Sequence, residues 1–139
     1  MRPLTIGSGL AVALSLVLVA CGDSGGPSTS ITAQMADFEF TPTSWAVPAG
    51  QEITIKLSNT GAVDHEWVLL RPGVRITRES DLPDTEEALL SEFVYWETEL
   101  EAGDSKTLAF TAPAAGKYQV ICAIEDHFNA GMKAEFTVE

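Results

Sequence analysis

The clearest pattern in the chain is a two-residue alternation of apolar and polar positions, repeated in short runs. Glu52-Ile53-Thr54-Ile55-Lys56-Leu57 shows it best, as a strand with one face buried and one in water must. Ile31–Met35 and Phe38–Phe40 are strand-like, and Pro42 ends that stretch. Trp45–Val47 runs into the turn signal Pro48-Ala49-Gly50, and Asn59-Thr60-Gly61 closes the next strand. In Asp64–Leu70 the alternation puts His65, Trp67 and Leu69 on one face, before Arg71-Pro72-Gly73 stops it. Lys106–Thr111, Lys117–Cys122 and Lys133–Val138 complete the series, with Tyr118, Val120 and Cys122 sharing a face. Short strands at regular spacing, punctuated by Gly and Pro, predict an all-β protein built as an antiparallel sandwich.

Two stretches break the pattern. Asp81–Phe93 reads as a short helix, with Asp84 as N-cap paired to Glu87 and a narrow stripe of Leu89, Leu90 and Phe93. From Glu79 to Glu101 there are many acids and no Lys or Arg, which suits either a solvated helix face or a docking patch for a basic partner. The second exception is the start. Arg2 precedes Leu10–Ala20, an apolar run short for a membrane span. It ends in Leu18-Val19-Ala20-Cys21, which resembles a bacterial lipobox. The expected organisation is a signal peptide over residues 1–20, a lipidated Cys21 opening a flexible Gly/Ser-rich linker over 21–30, and one domain over 31–139. An ordinary secretory signal and an uncleaved anchor are the competing readings. All three put the domain outside the cytoplasm, and the lipoprotein reading tethers it to the membrane.

Composition narrows the functions. A formal net charge of −12 over 139 residues argues against binding nucleic acid or an anionic membrane surface by charge, and favours basic partners. Export would permit a Cys21–Cys122 disulfide, yet each of the two cysteines has a better use.

For Cys122 that use is metal binding. Cys122-x4-His127-x4-Met132 follows a strand and precedes the closing one, so a thiol, an imidazole and a thioether share one loop. The sole other histidine is His65. Alone, a histidine on an apolar face is more often a core residue, and Met132 alone would be core filler. Together the four match the donor set of a copper electron-transfer site: two imidazoles and a thiolate in a plane, with a weak axial thioether. Zinc also accepts thiolate and imidazole, but the thioether points to copper.

These residues carry a resemblance to the cupredoxin (type 1 blue-copper) family over roughly residues 30–139, with a loop spacing closer to auracyanin and rusticyanin than to plastocyanin. The resemblance implies a Greek-key sandwich with a short inserted helix. It implies one mononuclear copper held by His65, Cys122, His127 and Met132. It also implies a monomeric, non-enzymatic electron carrier whose partners are redox proteins such as c-type cytochromes or respiratory or photosynthetic membrane complexes. Small and apolar residues between two ligands, Phe128, Asn129, Ala130 and Gly131, would leave the His127 edge open for docking. Many members carry asparagine after the first histidine; Glu66 stands there, so the tie between the two ligand segments must differ. A copper storage or delivery protein is the alternative, although such sites favour clustered Met and His, which this chain lacks. Copper oxidases and reductases need further histidines, and none remain.

Overall fold

The computed structural model describes residues 26–139. The expected leader, the expected lipidation site Cys21 and residues 22–25 of the linker lie outside the described residues. Among the described residues, nine strands form two sheets: β1 (Ser30–Ala36), β2 (Glu39–Thr41), β3 (Ser44–Val47), β4 (Glu52–Asn59), β5 (His65–Leu70), β6 (Val94–Leu100), β7 (Ser105–Thr111), β8 (Gly116–Ile121) and β9 (Lys133–Val138). One sheet has the order β2-β1-β4-β7 and the other β3-β9-β8-β5-β6. Successive strands cross between the sheets at β2–β3, β3–β4, β4–β5, β6–β7 and β7–β8, so the chain closes as a sandwich, as expected. Most neighbours pair antiparallel; β1 with β4 and β3 with β9 pair parallel. β1 meets β4 after the chain has passed through β2 and β3, and β3 meets β9 at the end of the sequence, so neither parallel pair joins consecutive strands.

Between the sheets lies a core rich in large aromatics. Trp67 is fully buried and meets Trp45, Trp96 and Phe136 with ring centroids 5.6–5.8 Å apart. Offset and edge-on arrangements of this kind add to the burial of apolar area itself. The indole N–H of Trp67 is buried without an acceptor. Trp45 is better satisfied, donating to the Thr32 carbonyl at 2.8 Å.

A second, smaller core sits on the outer face of the five-stranded sheet. Val68 and Leu70 of β5, Val94 of β6 and Ile121 of β8 are covered there by Ile76 and, at its margin, by Val74, Leu82, Leu89 and Phe93. The acidic excursion is therefore half of a packed layer and not simply a solvated helix. It is also less helical than expected. A 3-10 turn spans Glu79–Asp81, one α turn α1 spans Glu86–Ala88, and a π turn spans Leu89–Phe93. Thr85, not Asp84, is the N-cap of α1, its Oγ1 accepting from the Ala88 N–H at 3.2 Å. Leu89 and Phe93 pack inward, whereas Leu90 stays 41% exposed, because a π turn rotates the stripe away from α-helical spacing. The acidic run also contains a strand that the sequence reading missed. In β6, Tyr95, Glu97 and Glu99 face outward, while Val94 and Leu100 are buried and Trp96 packs on the main core.

Candidate metal centre

The centre forms at one pole of the sandwich, where the β5 start meets the loop between β8 and β9. Alternation in β5 turns His65 inward with Trp67 and Leu69, and all three are fully buried. The preceding turn is pinned by buried Asn59. Its amide donates to the Val63 carbonyl at 2.8 Å and to the Leu100 carbonyl at 3.1 Å, and its Oδ1 accepts from Gly61 N–H at 2.9 Å. The sequence reading took Asn59 only as the end of a strand.

Cys122 leaves β8 on the face of Tyr118 and Val120 and is fully buried. The loop then makes a single helical turn, α2 (His127–Ala130), flanked by Asp126 and Gly131, both at positive φ. The His127 carbonyl accepts from Met132 N–H at 3.0 Å, and the Met132 carbonyl accepts from Cys122 N–H at 3.1 Å. These bonds make a compact loop of the Cys-x4-His-x4-Met segment, with Met132 fully buried at its end.

His65 Nδ1 lies 3.2 Å from His127 Nδ1, which in turn lies 3.3 Å from Cys122 Sγ. The three donor atoms all fall within 4.8 Å of one another. Nitrogen donors about 2.0–2.1 Å from one ion, spread by roughly 100–120°, stand about 3.1–3.6 Å apart. The donor set and its spacing thus fit a single small ion. Thiolate with two imidazoles suits copper or zinc, and a thioether such as that of Met132 is the donor that tips the set towards copper.

Electrostatics act in opposite directions at the two kinds of donor. Burial, with His127 as a second cause, holds the His65 imidazole below its ordinary pKa, so it is neutral and able to ligate near neutral pH. Asp37 Oδ1, 3.5 Å from His65 Nε2, opposes the shift by its charge but is too distant for a good hydrogen bond. Burial pushes the Cys122 thiol up to about 11, only partly offset by the Glu66 backbone N–H that points at Sγ from 3.3 Å.

Glu66 resolves the question raised by its place after His65. Its backbone N–H reaches the sulfur, and its carboxylate Oε2 accepts from Ala123 N–H at 3.3 Å. Both ligand segments are thus tied through one residue, with a carboxylate standing where an amide would. Burial first, and the carboxylates of Glu99, Glu97 and Glu86 next, raise its pKa.

The expected docking residues divide. Asn129, Ala130 and Gly131 are exposed. Phe128 is not: it is 2% exposed and belongs to the second core with Ile76 and Ile121, because the α2 turn directs it under the loop. The His127 edge is not open either, since the residue is only 8% exposed. Phe38 covers it, with ring centroids 5.0 Å apart edge to face, while remaining 41% exposed itself. Phe38 sits between β1 and β2 at φ 70, an uncommon conformation for a bulky residue. A strand-like reading of Phe38–Phe40 gave no sign of this role.

Comparison with known proteins agrees with the geometry. The family model described as a cupredoxin-like domain matches residues 9–138. Auracyanin-A of Chloroflexus aurantiacus is 31% identical over 143 aligned residues, covering 84% of this chain and 85% of that protein. Auracyanin-B of the same organism is 32% identical over 114 residues, covering 71% of this chain, which spans only 46% of that relative's length. The crystal structure of dithionite-reduced auracyanin from Roseiflexus castenholzii superposes with a TM-score of 0.66 at 27% identity, over 82% of this chain and 99% of that one. The chain belongs to the cupredoxin family, and its buried cluster of His65, Cys122 and His127 fits the single type 1 copper of that family.

Proposed function

We propose that this protein is a one-electron carrier, with His65, Cys122, His127 and Met132 as the residues that would hold its copper. The observation that carries this reading is the convergence of three buried donors from segments 62 residues apart, two of them on a loop braced by its own backbone bonds. Copper in such a site supplies a one-electron couple with a donor set tolerable to both oxidation states. The chain's residues keep that set fixed. Asn59 and Glu66 hold the His65 side, the α2 turn holds His127, and the surrounding core excludes water. Copper storage or delivery is less favoured, because donors that are 0–8% exposed offer no open route for exchange.

Electrons cross at the pole where Phe38 lies over His127. Phe38 and Val63 are 41% and 43% exposed, Asn129, Ala130 and Gly131 are exposed and uncharged, and the exposed carboxylate of Asp37 lies 3.5 Å from His65. Beside this pole, Asp64, Glu66, Glu86, Glu97, Glu99 and Glu101 line an acidic groove that would steer a basic partner. A c-type cytochrome or a respiratory or photosynthetic membrane complex has suitable chemistry. A lipid on Cys21 would keep the monomeric domain at the extracytoplasmic face of the membrane.

Stopped-flow mixing of the copper-loaded protein with a reduced basic c-type cytochrome tests this. The expected result is electron transfer whose rate falls with ionic strength and falls at least tenfold in Ala130→Glu. Absence of transfer, or equal rates for both proteins, would count against the reading. Radiolabelled palmitate should enter the full chain in a bacterial host and be lost in Cys21→Ser.

A further inference from the structure

The acidic excursion reaches the metal loop through one side chain. Glu79, in the 3-10 turn, lies 47 and 50 residues from the groups it binds: its Oε1 accepts from Asp126 N–H at 2.6 Å and its Oε2 from Asn129 N–H at 3.2 Å. These two amides are the N-cap and third positions of the α2 turn. In an ordinary helix start, the N-cap side chain would satisfy the third N–H. Asp126 does not do so here: it sits at φ 67 and makes no side-chain capping bond. A carboxylate from a distant segment takes its place and grips the N-cap amide as well.

The grip has a firm base. Buried Gln119 of β8 fixes Ile76, accepting from its N–H at 2.8 Å and donating to its carbonyl at 3.1 Å. Phe128 packs in the same apolar layer as Ile76, with Leu82 at its edge, so apolar contacts flank the polar ones on both sides of Glu79. The circuit therefore runs from β8 through Gln119, Ile76 and Glu79 to the loop that β8 itself feeds.

We propose that Glu79 is a positioning residue for the metal loop, and that the excursion serves as a clamp holding His127 in place before any metal binds. Removing the carboxylate frees two amide N–H groups at a turn with no local cap, and the loop opens more often. Opening exposes Cys122, which is otherwise fully buried. The consequence for copper rests on His127 being a ligand; the clamp itself does not.

The test uses the mature full-length protein in metal-free and copper-loaded forms, as wild type, Glu79→Ala and Glu79→Gln. In the metal-free form we expect Glu79→Ala to speed amide exchange at Asp126 and Asn129 and alkylation of Cys122 by iodoacetamide at least tenfold. Exchange in the β1–β4 ladder should stay within twofold. Glu79→Gln keeps one carbonyl acceptor and should fall between the two. In the loaded form, loss of copper to a chelator should accelerate in the same order. Unchanged loop exchange and thiol labelling in Glu79→Ala would overturn the clamp. An equal rise throughout the β1–β4 ladder would do so as well, by showing global destabilisation. If Glu79→Ala does not fold, the same readouts on Glu79→Gln decide. Failure of the wild type to bind copper would refute the proposed site without touching the metal-free result.

Discussion

Raising the pH should tighten copper binding steeply, because the proposed thiolate ligand begins as a protonated thiol. Burial pushes Cys122 up to about 11, and only the thiolate ligates. At pH 7 the thiol therefore outweighs the thiolate by about 10^4-fold, which weakens apparent binding by about 5 kcal/mol relative to a fully ionised site. Each unit of pH up to about 11 should recover a factor of about ten. His65 adds no comparable slope above neutrality, since its pKa is held below the ordinary histidine value. The assay is an anaerobic competition for Cu(I) against a chelator of known protonation behaviour at pH 7, 8 and 9. The wild type should gain about a hundredfold across that range, and Cys122→Ser should lose the slope. Calorimetry in buffers of different ionisation enthalpy should report release of about one proton at pH 8. Wild-type affinity that stays within threefold from pH 7 to 9 would refute the reasoning, because the thiol would then be ionised already or not be a ligand.

Further outcomes follow from the same geometry. The raised thiol pKa also bears on folding of the metal-free protein: its stabilising contribution is complete below the unfolded value near 9.0 and is lost as pH rises towards 11. Chemical denaturation should show a loss of about 3 kcal/mol over that window, absent in Cys122→Ser. Glu66→Gln keeps an acceptor for Ala123 N–H but removes a negative charge beside the thiolate, and should raise the copper reduction potential by some tens of millivolts in voltammetry. An unchanged potential would show that this carboxylate carries no charge in the folded protein. Phe136→Ala deletes a fully buried ring packed on Trp45, Trp67 and Phe110, and should cost about 3–5 kcal/mol in urea unfolding.

The parts of this molecule that were readable from sequence share a physical cause. Alternation in Glu52–Asn59 and His65–Leu70 reports a single buried face directly, so those strands and the inward turn of His65 were evident. Cys122, His127 and Met132 are close in sequence, so their spacing constrains their geometry before any tertiary contact forms. What was hidden depends on distant pairing. The β1–β4 and β3–β9 ladders are parallel because of the order in which strands enter the sheets, and no residue pattern records that order. β6 was masked because Glu97 and Glu99 supply its outer face within a run of acids that reads as a helix. Phe38 and Phe128 exchanged their expected places for a similar reason. The aromatic over His127 comes from a hairpin nearly ninety residues upstream, while the aromatic next in sequence is drawn into the second core. Asp84 and Thr85 are both suitable caps, and only the start of the turn at Glu86 distinguishes them.

The central claim is that the His65, Cys122 and His127 cluster, with Met132, is a type 1 copper site. Its most direct test is the visible spectrum of residues 22–139 after addition of Cu(II). An intense blue thiolate-to-copper charge-transfer band, bleached on reduction and absent in Cys122→Ser, is the result this account predicts. Bound copper with weak or no colour would contradict it, because Cys122 would then not ligate the copper together with the two imidazoles.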